Sequence, residues 1–187
     1  MKRLVLASAV VIGATLLYTG FRIQRMPNQD WVGDPGNPKM LVIGDSFSAR
    51  LQTTGEETYK QLLEKYQIRV DYRLEGVECG QQGGSLDAIS QSTDCFEFED
   101  VDVVVVLAGW HDIYWSQWGY SEPTDRAAGI GKIRGAWTKR APEGATFHFA
   151  DTWDWSRNEL AEGTAEDQWG HSSAQGYEHA FACMGLL

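Results

Sequence analysis

Ser46 stands where an apolar run, Leu41-Val42-Ile43, breaks into Gly44-Asp45-Ser46 and a polar, helix-compatible stretch follows. That order reads as a buried strand, a tight turn and a helix start. A serine at such a turn carries its hydroxyl on the carboxyl rim of a sheet, a geometry suited to a nucleophile, although the G-x-S-x-G pattern of other serine hydrolases is absent. A hydroxyl is a weak nucleophile near neutral pH. It needs a base within hydrogen-bond reach and donors for the negative charge that develops on the attacked carbonyl.

The elements that would position such groups alternate along the chain. Met40–Gly44 reads as an apolar strand. Glu56–Tyr66 carries Tyr59, Leu62, Leu63 and Tyr66 at helical spacing, and Ile68–Leu74 alternates as a strand. Gly76–Gly84 is a glycine-rich loop, and Ser85–Ser90 a short helix capped by Ser85. Val101–Leu107 is almost wholly β-branched, as expected of a central parallel strand covered on both faces. Gly109–Ser121 reads as an aromatic loop, and Pro123–Arg140 as a helix opened by Ser121 or Pro123. Ala145–Ala150 makes a fourth strand, Asp151–Gly170 an irregular stretch, and Ser173–Met184 a last helix. Strands alternating with helices imply parallel βαβ units. The expected fold is a three-layer α/β/α sandwich on a parallel sheet of four or five strands. The strand exits then share one rim. After the first come Asp45 and Ser46, after the second Cys79–Ser85, after the third Ala108-Gly109-Trp110-His111-Asp112. Asp167–Tyr177, near the end, joins them.

The chain has 187 residues and a formal charge of −10, with no basic cluster along any element, so one domain is expected and nucleic acid is excluded as a partner. Met1-Lys2-Arg3 precedes an uncharged, mostly apolar run, Leu4 to Phe21, and then Arg22 and Arg25. Residues 1–25 therefore read as a signal anchor or a cleaved signal peptide, with the domain membrane-anchored on the periplasmic or exterior side, or secreted. Residues 26–38, rich in Pro, Gly and Asn, read as a linker, and 39–187 as the domain. Cys79, Cys95 and Cys183 form no paired metal motif. In an exported protein Cys79 and Cys95 can close a short disulfide loop, a pairing left open here. A zinc site from His111, Asp112 and His171 has no supporting ligand spacing, so no metal and no cofactor is expected. His148 and His179 have no motif around them and read as structural.

Four blocks in order resemble the SGNH (GDSL) hydrolase family over roughly Met40 to Phe181. Gly44-Asp45-Ser46 matches the nucleophile block. Gly80-x-x-Gly83-x-Ser85 looks like the block whose glycine N–H serves the oxyanion hole. Gly109-Trp110-His111-Asp112 matches Gly-x-Asn-Asp, and His171 followed by Gly176-Tyr177 matches the last block. Two positions depart from the pattern. His111 replaces the oxyanion asparagine, and the aspartate expected three residues before the histidine is Gln168, with Asp167 one residue further back.

The resemblance implies a serine esterase without cofactor. Ser46 would be the nucleophile, His171 the base and Asp167 its orienting carboxylate. Ser46 N–H, Gly83 N–H and His111 would bind the oxyanion, since a neutral imidazole can donate where an amide would. Trp110, Tyr114, Trp115, Trp118, Tyr120 and Trp169 would then crowd the rim, with Trp110 and Trp169 as the substrate-binding residues. Flat rings suit sugars or acyl chains, so the expected substrate is an O-acyl (acetyl) ester on a carbohydrate. A lipid esterase or thioesterase, or a non-catalytic ligand-binding member of the same fold, is the alternative.

Overall fold

The computed structural model describes residues 30–72, 86–91, 93–117, 125–166 and 170–187. Four strands, β1 (Lys39–Gly44), β2 (Gln67–Tyr72), β3 (Val103–Ala108) and β4 (Thr146–Asp151), form one parallel sheet in the order β2-β1-β3-β4. β1 and β3 are the central pair, in register from Met40 opposite Val103 to Gly44 opposite Leu107. Their continuous apolar runs follow from burial on both faces.

Period-two alternation divides those runs between two cores. Met40, Val42, Val103, Val105 and Leu107 pack with Phe47, Leu51, Leu62, Tyr177 and Phe181. These come from helices α1 (Ser46–Arg50), α2 (Glu56–Leu63) and α7 (Ala174–Cys183). Leu41, Ile43, Val104, Val106 and Ala108 pack on the other face with Leu86, Ile89 and Ile133. These belong to α3 (Leu86–Gln91) and α5 (Arg126–Thr138). The result is a three-layer α/β/α sandwich with function-bearing ends on the rim that begins at Gly44.

Four readings of the sequence need correction. The segment after β3 is a helix, α4 (Trp110–Gln117), rather than an aromatic loop. The stretch after β4 contains α6 (Thr152–Glu162), where irregular chain was expected. Asp151 caps α6 by accepting from Trp153 N and Asp154 N, and Gly163, at φ +69°, ends it in the left-handed conformation that favours glycine. The cap of α5 is Asp125, which accepts from Ala128 N, not Ser121 or Pro123. The domain also starts before Lys39. Val32 N donates to Ile68 O and Ile68 N to Val32 O, so the end of the supposed linker pairs with β2.

The C-terminal helix is tied to the turn after β1. Tyr177, fully buried, donates its hydroxyl to Phe47 O at 2.7 Å. Tyr177→Phe leaves that carbonyl without its partner, so it should destabilise the fold by about 1–3 kcal/mol in urea unfolding at neutral pH.

Candidate active site

Gly44 sets the rim. Its φ is +155°, and a Cβ there would lie 1.9 Å from Leu107 O, so a side chain cannot be accommodated between the two central strands. The ladder closes one residue later with Asp45 N donating to Leu107 O at 2.9 Å. The chain then turns into α1, which puts Ser46 at the carboxyl end of the middle of the sheet.

His171 meets it there. Ser46 Oγ and His171 Nε2 are 3.0 Å apart, although the residues are 125 positions apart in the chain. The segment that carries the imidazole is held on both sides. Glu166 N donates to His171 O at 2.7 Å, and the Glu166 carboxylate pairs with Arg50 and accepts from Thr54 Oγ1. Beyond the histidine, the buried Glu159 of α6 accepts from Ser172 Oγ, Ser173 N and Ser173 Oγ. The imidazole therefore reaches Ser46 on α1 from a segment anchored to α1 and α6.

Among the described residues, the rings of Trp110 and Phe47 contact the imidazole. Trp110 lies near-parallel to it, with centroids 6.2 Å apart at 21°, and Phe47 is tilted against it at 5.7 Å. Trp110 is only 7 % exposed and belongs to the core beneath α1 and α7. Its ring braces the imidazole from inside instead of presenting a bare face on the rim. His111 stands edge-on to Trp110 at 5.3 Å. Burial lowers its pKa to about 4, and the charge on His171 acts in the same direction, so it is neutral near pH 7 and able to donate one N–H.

Asp45, beside Ser46, is wholly buried. Burial raises its pKa to about 7, and the nearby Asp112 carboxylate adds to the rise. Hydrogen bonds from Phe47 N at 2.9 Å and Thr152 Oγ1 at 2.8 Å partly offset it. Asp112 has a bracing role. Both its oxygens accept from Leu86 N, at 3.1 and 3.0 Å, which fixes the start of α3 beside the exit of β3.

Of the residues singled out in the sequence, Ser46, His171, His111 and Trp110 converge here. Asp167, Gly83 and Trp169 lie outside the described residues, as do Cys79, Trp118, Tyr120 and the apolar N-terminal run. Among the described residues no helix is long and apolar enough to cross a membrane, and no cluster of His, Cys, Asp or Glu is arranged to hold a metal ion. His148 lies on edge strand β4, where its Nε2 is 3.2 Å from Thr146 Oγ1, and His179 Nε2 is 3.5 Å from Cys183 Sγ on α7.

The sequence reading passed over Thr152 and Glu166. Thr152 had a visible signal, since it follows the fourth strand and so belongs to the same rim as Ser46. Glu166 had none, because its role comes from a tertiary contact with Arg50.

Comparison with known proteins adds no relative: no family model, no curated protein and no solved structure matches this chain.

Proposed function

We propose that this chain is a serine hydrolase of SGNH type acting on carboxylic esters. The observation that carries the reading is the 3.0 Å approach of Ser46 Oγ to His171 Nε2 at the carboxyl rim of a parallel sheet. His171 Nε2 takes the Ser46 proton as Oγ bonds to the ester carbonyl carbon. The same imidazole then returns the proton to the departing alcohol oxygen as its bond to carbon breaks. Water repeats the sequence on the acyl-serine, giving the carboxylic acid and free Ser46.

Asp167 is the proposed orienting carboxylate. Ser46 N–H, Gly83 N–H and a neutral His111 are the proposed oxyanion donors. O-acyl groups on a carbohydrate are the favoured substrate class, supported by the aromatic residues that the sequence concentrates between positions 114 and 120 and at Trp169. The N-terminal apolar run supports an anchored or exported location.

The test is covalent labelling of the full chain by a fluorophosphonate, alongside hydrolysis of a short aryl acetate. Labelling confined to Ser46 and absent from Ser46→Ala is expected. A folded chain that neither labels nor hydrolyses the acetate, yet binds glycans, would overturn the enzymatic reading in favour of a binding protein.

A further inference from the structure

Three strand exits meet at one buried hydroxyl. Thr152, fully buried, is the first residue of α6 after β4. Its Oγ1 accepts from Trp110 N at 2.9 Å, after β3, and donates to Asp45 Oδ2 at 2.8 Å, after β1. Asp45 Oδ1 in turn accepts from Phe47 N at 2.9 Å. A threonine hydroxyl has one proton to give, so this donor and acceptor pattern fixes its direction. The cap of α6 is already supplied by Asp151, and the Thr152 hydroxyl is not needed for it.

The two residues held in this way, Phe47 and Trp110, both carry rings that contact His171. We infer that Thr152 is a positioning residue for the base: its hydroxyl, with Asp45, locks the backbone of Trp110 and Phe47 so that their rings hold the imidazole with Nε2 over Ser46 Oγ. The inference rests on the reading of Ser46 and His171 as nucleophile and base. Aromatic contacts at these separations are individually weak. Their value here is geometric, because misplacing a catalytic group by about 1 Å can cost roughly 100-fold in rate.

Thr152→Val removes the hydroxyl and keeps the branched shape, whereas Thr152→Ser keeps the hydroxyl and loses the methyl. Thr152→Val should lower kcat for an aryl acetate by roughly 10- to 100-fold with KM within about twofold of the parent, and Thr152→Ser should stay within about threefold in both. The chain has only four histidines, so the His171 ring resonances can be assigned by their loss in His171→Asn. They should shift in Thr152→Val and not in Thr152→Ser.

Three results would overturn the inference: unchanged kcat and ring resonances in a folded Thr152→Val, a Thr152→Ser as slow as Thr152→Val, or a rate loss matched only by the unfolded fraction. If Thr152→Val does not fold, Thr152→Ser decides alone, since parental kcat and resonances support the hydroxyl and a tenfold loss refutes it. The resonances need no turnover. A chain inactive on esters, or a Ser46→Ala with full activity, defeats the proposed function and leaves the reading of Thr152 to the ring signals.

Discussion

Ser46→Ala and His171→Ala should each lower kcat/KM for an aryl acetate by a factor on the order of 10⁴ or more, and the double variant should be no slower than either single one. On the proposed reading Ser46 and His171 act as a unit across their 3.0 Å contact, so removing one disables the other. Steady-state kinetics on the three variants checks this, with far-UV circular dichroism to establish that each is folded. Multiplicative losses would mean that the two side chains act independently and that the proton relay is wrong. His111→Ala should cost about 10²–10³ in kcat, as for one oxyanion donor, with little change in KM. His111→Asn, which installs an amide donor at the same position, should recover most of it. Because burial keeps His111 neutral down to about pH 4, its protonation should leave no step in the rate profile above about pH 5.

The sandwich was legible because its central strands are written as continuous apolar runs, and only a sheet buried on both faces tolerates Val103 to Val106 in succession. The meeting of Ser46 with His171 was legible for a related reason, since parallel topology sends every strand exit to one rim. The helix after β4 was a missed reading of visible signals. Asp151 at its cap and Gly163 at its end are the usual punctuation, but the polar residues between them obscured the helical period. The helix after β3 is different. Its start is fixed by tertiary bonds from Trp110 N to Thr152 and from Leu86 N to Asp112. Asp45 shows the limit most clearly. It was visible in Gly-Asp-Ser, yet its burial and its bond to Thr152, 107 positions away, exist only in the folded chain.

Asp45 and His111 should leave opposite marks on the pH dependence of stability. The Asp45 pKa rises on folding from an ordinary carboxylate value to about 7, so between about pH 4 and 7 the native state keeps a proton that the unfolded chain releases. Its contribution is fully present below pH 4 and is lost as pH rises through 7. His111 behaves in the reverse sense. Its pKa falls to about 4, so between about pH 6.5 and 4 the unfolded chain takes up a proton that the native state refuses, and stability falls as pH is lowered. In the parent chain the two slopes oppose and largely cancel. Asp45→Asn keeps the shape and the acceptor for Phe47 N but does not titrate. Its stability relative to the parent should therefore improve from pH 4.5 to 7.5, by up to roughly 4 kcal/mol. His111→Asn should gain on the parent as pH falls from 6.5 to 4.5, by at most roughly 3 kcal/mol. Urea unfolding of the three proteins at matched pH gives both differences. The raised pKa of the partly buried Asp151 is common to all three and drops out of the subtraction. A difference between Asp45→Asn and the parent that stays flat across pH 4.5–7.5 would show that the carboxyl group does not retain its proton on folding. Thr152 would then be donating to a permanently charged partner.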